Sequence, residues 1–353
     1  MFTVRTIRRG LFYVAFNLVV ALLLLEAIFL GLLHAPHLTG ASPAPVRRLA
    51  QQLYRHFNRM LIQFDPNCAR YDPEVTYTLK PGGCTFSNIE FSNAYRINRL
   101  GLRDDESALV SPEVIVLGDS HAVGWGVDQD ATFARVLERQ TGLKTLNAAV
   151  ASYATVREML MLGRLDTSRL RFLIIQHADN DLPENMSFRD HGNQLPITAE
   201  DKYQDIVRYY AAQQSYYPGK YVYRLFMKVL RLEATEPDQL KMASIAPAEE
   251  ARLFLNALEH ANHPSADALN SLNRVQVIAL EIGQEMAHPR SFIAALAEES
   301  RRDGHPPFVQ LLMTLDTTSI LKADDFYVLD DHMTAQGHRV VGEALAEMIK
   351  AVR

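Results

Sequence analysis

Residues 113–121 read EVIVLGDSH, an apolar run closed by a glycine, an acid, a serine and a histidine. An aliphatic run without alternation fits a strand buried on both faces, as in a parallel sheet. Gly118-Asp119-Ser120 then falls where such a strand turns into a helix. A serine on that tight turn exposes its hydroxyl and aims its backbone N–H at an incoming group, and nucleophilic attack needs both. G-D-S is also a common surface turn, so the triplet alone decides nothing.

Outward from this stretch the chain alternates strand and helix. Phe133, Val136 and Leu137 form one helix face, closed by Gly142. Strands fit 144–150 (KTLNAAV), 171–177 (RFLIIQH), 275–281 (VQVIALE) and 308–313 (FVQLLM), and helices fit 155–165 and 290–302. The last helix is opened by Thr334 and carries Val340, Val341, Ala344, Leu345, Met348 and Ile349 on one face. Such alternation predicts an α/β fold with a parallel sheet covered on both sides, and active sites in such sheets lie at the carboxyl ends of the strands. Upstream, 71–103 is extended and turn-rich; downstream, 185–270 reads as a helical insertion that is a lid, a glycan-binding face or a docking surface.

Two more polar clusters sit at strand ends. Asp330-Asp331-His332 precedes the last helix. A general base for serine is an imidazole whose tautomer a carboxylate fixes, and Asp and His two positions apart can share one side of a loop. The bland alternative is a solvated acidic turn; a metal site at 330–332 has no other cluster to complete it, and a metal-dependent hydrolase using His177, Asp179 and His332 is a lesser alternative that a metal assay settles. Ala178-Asp179-Asn180-Asp181 follows the third strand, where an Asn amide can donate to a developing oxyanion or simply serve the turn.

Taken in order, these blocks resemble the SGNH (GDSL-type) hydrolases. GDSHAVGWGVDQDATFARVLERQ resembles that family's first block, NAAVASYATVREM the second, ADND the third and DDHMTAQGH the fifth, while YRINRLGLRDDE resembles the lead-in of membrane-linked members. The resemblance implies a flavodoxin-like three-layer α/β/α sandwich. It implies Ser120 as nucleophile, His332 as base, Asp330 as its orienting acid, and an oxyanion hole of the Ser120 and Ser152 N–H groups with the Asn180 side chain. Many members place the acid three before the histidine, where this chain has Leu329; the shorter spacing selects Asp330, with Asp331 a lesser candidate. Ser152 stands where the family usually has a glycine. His121 either packs its helix or touches substrate, Trp125 lines the pocket or fills the core, and His338 reads as structural. No cofactor or metal is implied.

The N-terminus adds an address. Residues 11–33 (LFYVAFNLVVALLLLEAIFLGLL) carry one charge, Glu26, and about 20 apolar residues cross a bilayer as a helix. Arg5, Arg8 and Arg9 precede it, predicting a cytoplasmic N-terminus and an extracytoplasmic body. A cleaved signal peptide is the rival, though its apolar core is shorter. Glu26 either snorkels as a near-surface carboxyl or meets a partner membrane helix. Residues 36–45 read as a tether, and Leu49, Leu53, His56, Met60 and Leu61 as one face of a basic amphipathic helix lying on the membrane or on the domain. Cys68 and Cys84, the only cysteines, form a natural disulfide in an oxidising compartment, or stay as two thiols.

With 353 residues, 48% hydrophobic, a net charge of -5 and no long basic run, nothing recommends a nucleic-acid partner. The expected layout is an anchor (1–35), a tether and amphipathic helix (36–66) and a hydrolase domain (67–353) with an extended lead-in (67–110) and the insertion at 185–270. The expected activity is extracytoplasmic ester hydrolysis. The alternatives are O-acyl transfer to a cell-envelope polysaccharide with an integral-membrane acyl-donor protein, or a non-catalytic assembly subunit.

Overall fold

The computed structural model describes residues 4–229, 245–261, 272–283 and 287–352. Helix α1 (Val4–His34) carries the N-terminal apolar run and is followed by α2 (Pro36–Gly40) and α3 (Ala44–Phe57). Two antiparallel hairpins come next, β1 (Ala69–Asp72) with β2 (Thr76–Leu79) and β3 (Gly82–Ser87) with β4 (Ser92–Ile97). Then come β5 (Val114–Gly118), α4 (Ser120–Val123), α5 (Phe133–Thr141), β6 (Thr145–Asn147), α6 (Thr155–Leu162) and β7 (Phe172–His177). Helices α7 (Leu182–Asp190), α8 (Glu200–Gln214), α9 (Lys220–Val229) and α10 (Pro247–His260) lead to β8 (Gln276–Glu281) and α11 (Ala287–Glu299). The chain closes with α12 (Pro307–Gln310), β9 (Met313–Leu315) and α13 (Ala335–Ala351). It divides into two compact units: Met1–Arg59, Ala211–Glu236 and Val328–Asp330 form the smaller, and Met60–Tyr210, Pro237–Tyr327 and Asp331–Arg353 the larger.

The larger unit is built on a parallel sheet in the order β6-β5-β7-β8-β9. Its strands alternate their side chains between two cores, as the pleat requires. Ile115, Leu117, Leu173, Ile175 and Val277 join Val156, Met159, Phe254 and Phe292 on one side. Val114, Val116, Phe172, Ile174 and Ile278 join Phe133, Leu137, Val341 and Leu345 on the other. This is the α/β fold with a covered parallel sheet that the pattern predicted. Helix α13 lies so close to α5 that a Cβ on Gly342 would come within 2.6 Å of Val136 Cβ.

One predicted element changes type. Residues 308–310, expected as strand, lie in α12, because Pro306 and Pro307 preset a helical first turn; the strand starts only at Met313. Beyond β6 the chain keeps pairing, with Ala148 N–H donating to Val116 O (2.8 Å) and Val150 N–H to Gly118 O (3.1 Å). Cys68 and Cys84 are joined, their Cα atoms 5.4 Å apart.

In the smaller unit, α1 buries a stripe of Glu26, Phe29 and Leu33, whereas its other apolar residues from Leu11 to Ile28 are largely exposed. The predicted tether 36–45 contains the single helical turn of α2. Helix α3 buries Ala50, Leu53, Tyr54 and Phe57, so the expected face of Leu49, Leu53 and His56 is displaced toward the two aromatics and His56 is exposed. Glu26 is engaged within its own chain. Its carboxylate accepts the N–H groups of Tyr221 (3.1 Å) and Val222 (3.0 Å), capping the first turn of α9 in its own chain. Tyr54 donates its hydroxyl to the fully buried Asp330 Oδ2 at 2.6 Å.

The disulfide closes a loop of 16 residues, a length for which cross-linking removes about 3 kcal/mol of unfolded-state entropy. Denaturant unfolding of the reduced chain, or of Cys84→Ser, is expected to show a loss of that order, with a slope that stays equal or steepens as the unfolded state is released. An unchanged midpoint would contradict it. Gly342→Ala is expected to cost about 1–3 kcal/mol by overpacking α13 against α5.

Candidate active site

Ser120 is the first residue of α4, and Asp119 caps that helix by accepting the His121 N–H at 3.0 Å. The turn is forced by Gly118, whose φ is +149° and whose missing Cβ would sit 2.6 Å from Ala122 Cβ. Gln176, fully buried on the neighbouring strand, holds the turn from beneath: its Oε1 accepts the N–H groups of Asp119 (3.2 Å) and Ala122 (3.1 Å). Asn147 donates to Ala122 O at 3.0 Å. At the far end of α4, buried Arg103 donates to the carbonyls of Val123 (3.1 Å), Gly124 (2.5 Å) and Val127 (2.6 Å). A short helix leaves its carbonyls without internal partners, and a guanidinium fork answers several at once. Gln176, Asn147 and Arg103 escaped the sequence reading. The only signal was a polar residue inside an apolar strand, or one of several arginines in the lead-in.

His332 places Nε2 at 2.6 Å from Ser120 Oγ. Its loop is pinned on both sides: Tyr327 N–H donates to His332 O (3.0 Å), Phe326 bridges Met333, and Thr334 N–H donates to Asp325 O (2.8 Å) before capping α13. Trp125 stacks on the imidazole at 4.7 Å between ring centroids, and the His121 ring lies at 4.8 Å. Trp125, 2% exposed, therefore both fills the core and lies against the His332 ring. Asp331 Oδ1 stands 3.4 Å from His332 Nδ1. Asp330, two residues before His332, is the carboxylate that accepts from Tyr54.

Ser152 lies in the loop beyond β6 with φ +58°, the left-handed conformation a glycine would take freely. The strain is held by bonds: Gln63 Nε2 donates to Ser152 Oγ (2.9 Å), and the Tyr77 hydroxyl to the carbonyls of Ala151 and Ser152 (3.0 Å each). The glycine conformation thus survives without the glycine. Asn180 occupies the turn Asp179–Asp181 after β7, its side chain exposed. Ser120, Ser152 and Asn180 accordingly follow the carboxyl ends of three adjacent strands. His338 is buried on α13, accepts the Phe133 N–H (3.2 Å) and is pushed down to about 3 by that burial, which fits a neutral packing residue.

Behind the site lies a buried titratable group. His177 has Asp181 at 3.0 Å from Nδ1 as an ion-pair contact without hydrogen-bond geometry, and Glu250 at 3.1 Å from Nε2. Burial opposes its charge, but the two carboxylates hold it well above the usual imidazole range. Glu158 is 1% exposed and neither of its carboxyl oxygens has a hydrogen-bond partner. Burial first, then the charges of Asp181 and Asp119, push it well above the ordinary carboxylate range.

No protein-family model and no curated protein matches the sequence. Among solved structures the chain is similar to a G-D-S-L family lipolytic protein from Desulfitobacterium hafniense DCB-2 (11% identity, TM-score 0.34, covering 66% of this chain and 97% of that one). It is similar to a carbohydrate esterase described as having divergent catalytic and non-catalytic binding functions (10% identity, TM-score 0.39, 68% of each chain). It is also similar to an aryl esterase of M. smegmatis (14% identity, TM-score 0.33, 68% and 99%).

Ser152→Gly, which relieves the backbone, is expected to keep stability within about 1 kcal/mol. Ser152→Val, β-branched at positive φ, is expected to cost about 1–3 kcal/mol of stability. Equal stability of the two variants would contradict the strained loop. An acid with a raised folded-state pKa holds more protons folded than unfolded, so its contribution declines as pH rises above its unfolded value of 4.5. Glu158→Gln is therefore expected to flatten the fall in stability between about pH 5 and 7, by up to about 1.4 kcal/mol per pH unit, in urea titrations at both ends.

Proposed function

We propose that this chain is a membrane-anchored serine esterase of the SGNH type, working through an acyl-Ser120 intermediate. The observation that carries the reading is the 2.6 Å contact between Ser120 Oγ and His332 Nε2, with a braced turn under one and a pinned loop around the other. The Ser120 hydroxyl gives its proton to Nε2 as Oγ bonds the ester carbonyl carbon. The oxyanion that forms is met by the N–H groups of Ser120 and Ser152 and the Asn180 amide. On collapse the C–O bond to the leaving alcohol breaks, and that oxygen takes the proton from His332. Water then repeats the sequence on the acyl-serine, leaving a carboxylic acid and the original serine. The orienting acid is assigned to Asp330; Asp331, whose Oδ1 stands 3.4 Å from Nδ1, is the lesser candidate.

The body is assigned to the extracytoplasmic side of the inner membrane. This is supported by Arg8-Arg9 at the start of the 27-residue span Arg8–His34 and by the Cys68–Cys84 disulfide. An O-acyltransferase differs only in the acceptor, a glycan hydroxyl in place of water, and would draw its acyl group from an integral-membrane partner. A non-catalytic assembly subunit is the remaining reading.

The test is p-nitrophenyl acetate turnover by the full chain. Ser120→Ala and His332→Ala are expected to lose about 10³-fold or more, Asp330→Asn more than Asp331→Asn. Acetyl transfer to an added oligosaccharide, exceeding hydrolysis, would select the transferase. A folded chain with no turnover that Ser120→Ala changes would sink the catalytic reading.

A further inference from the structure

Glu26 is the 23rd residue of α1, and its position fixes where another element lies. An apolar core of about 30 Å is crossed by about 20 helical residues. Counted from Leu11, just past Arg8 and Arg9, Glu26 sits about 22 Å in, some 8 Å short of the far boundary. A carboxylate at that depth needs polar partners inside the membrane. Its partners are the Tyr221 and Val222 N–H groups, at 3.1 and 3.0 Å. Glu26 is 4% exposed, whereas Leu23, Leu24 and Ile28 around it are 59%, 60% and 56% exposed. Wherever Glu26 resides, the first turn of α9 resides with it.

The rest of α9 has the polarity such a place demands. Tyr223 and Phe226, three residues apart on one face, are 51% and 58% exposed, and the lead-in offers Tyr216 and Tyr217. Lys220 is turned inward, 2% exposed, donating Nζ to Gln213 O at 2.6 Å, and half-buried Arg224 sits over the Phe57 ring. Tyr223 and Phe226 out with Lys220 and Arg224 in is the reverse of a surface helix in water. Tyrosines flanking an apolar helix suit the boundary between headgroups and hydrocarbon.

We propose that α9 and its Tyr216–Tyr217 lead-in form a second membrane-contacting element, held at the depth of Glu26, with Tyr223 and Phe226 in lipid. The proposal rests on α1 being a membrane span. A single anchor leaves its cargo free to tumble; a second element fixes the smaller unit against the bilayer surface.

The experiment uses the full chain, disulfide intact, in phosphatidylcholine–phosphatidylglycerol nanodiscs. A nitroxide is attached at Phe226→Cys or, separately, at Phe16→Cys on α1, a site 56% exposed. Power saturation with oxygen, which partitions into lipid, and with a water-soluble nickel chelate reads the depth of each label. The expected result is a label at 226 reached by oxygen severalfold more than by the chelate, as at 16. With Glu26→Ala, the label at 226 is expected to shift toward the chelate while that at 16 stays. A wet label at 226 beside a lipid-facing one at 16 overturns the proposal, as does protection from both reagents, which marks a covering protein. A wet label at 16 overturns the membrane span itself. No shift at 226 in Glu26→Ala overturns the role of Glu26.

Discussion

The 2.6 Å contact between Ser120 Oγ and His332 Nε2 joins residues 212 positions apart, and most of the larger unit can be understood as what makes that contact possible. A hydroxyl and an imidazole meet at that distance only if both backbones are fixed to a few tenths of an ångström. On the serine side the fixing is done by Gly118, by Gln176 reaching from the next strand, and by Arg103 collecting the carbonyls at the end of α4. On the histidine side it is done by a loop stitched between Tyr327 and Thr334 and ended by the cap of α13. None of these groups reacts, and each answers a backbone donor or acceptor that would otherwise be buried unpaired.

The same demand explains two oddities. Ser152 keeps a left-handed φ that costs a β-carbon about 1 kcal/mol, and three hydrogen bonds from Gln63 and Tyr77 offset the strain. Glu158 and the His177 cluster place titratable groups beneath the strand ends, where desolvation raises Glu158 and the Asp181 and Glu250 carboxylates, against desolvation, raise His177.

Legibility in the sequence followed the range of the forces involved. Strands at 114–118, 172–177 and 276–281 were readable because their apolar runs are local and unbroken, and the polar residues that close them marked the strand ends. The position of Ser120 was legible for that reason; His332, which lies well beyond the last strand Met313–Leu315, was marked by the family resemblance, as were Ser152 and Asn180. What failed was tertiary. The buried face of α3 is set by Tyr54 and Phe57, and no periodicity announces that Tyr54 will donate to Asp330. The fit of Glu26 to the first turn of α9, 195 residues away, is equally silent in the sequence. The misread strand at 308–310 was a local error: two prolines favour a helical start over an apolar run that suits either state.

The most direct measurement is the mass of the intact full chain after brief exposure to p-nitrophenyl acetate and acid quench, followed by peptide mapping. The account predicts a single acetyl adduct on Ser120, absent in Ser120→Ala and strongly reduced in His332→Ala. A folded protein that turns the ester over without an adduct on Ser120, or with the adduct elsewhere, would contradict it.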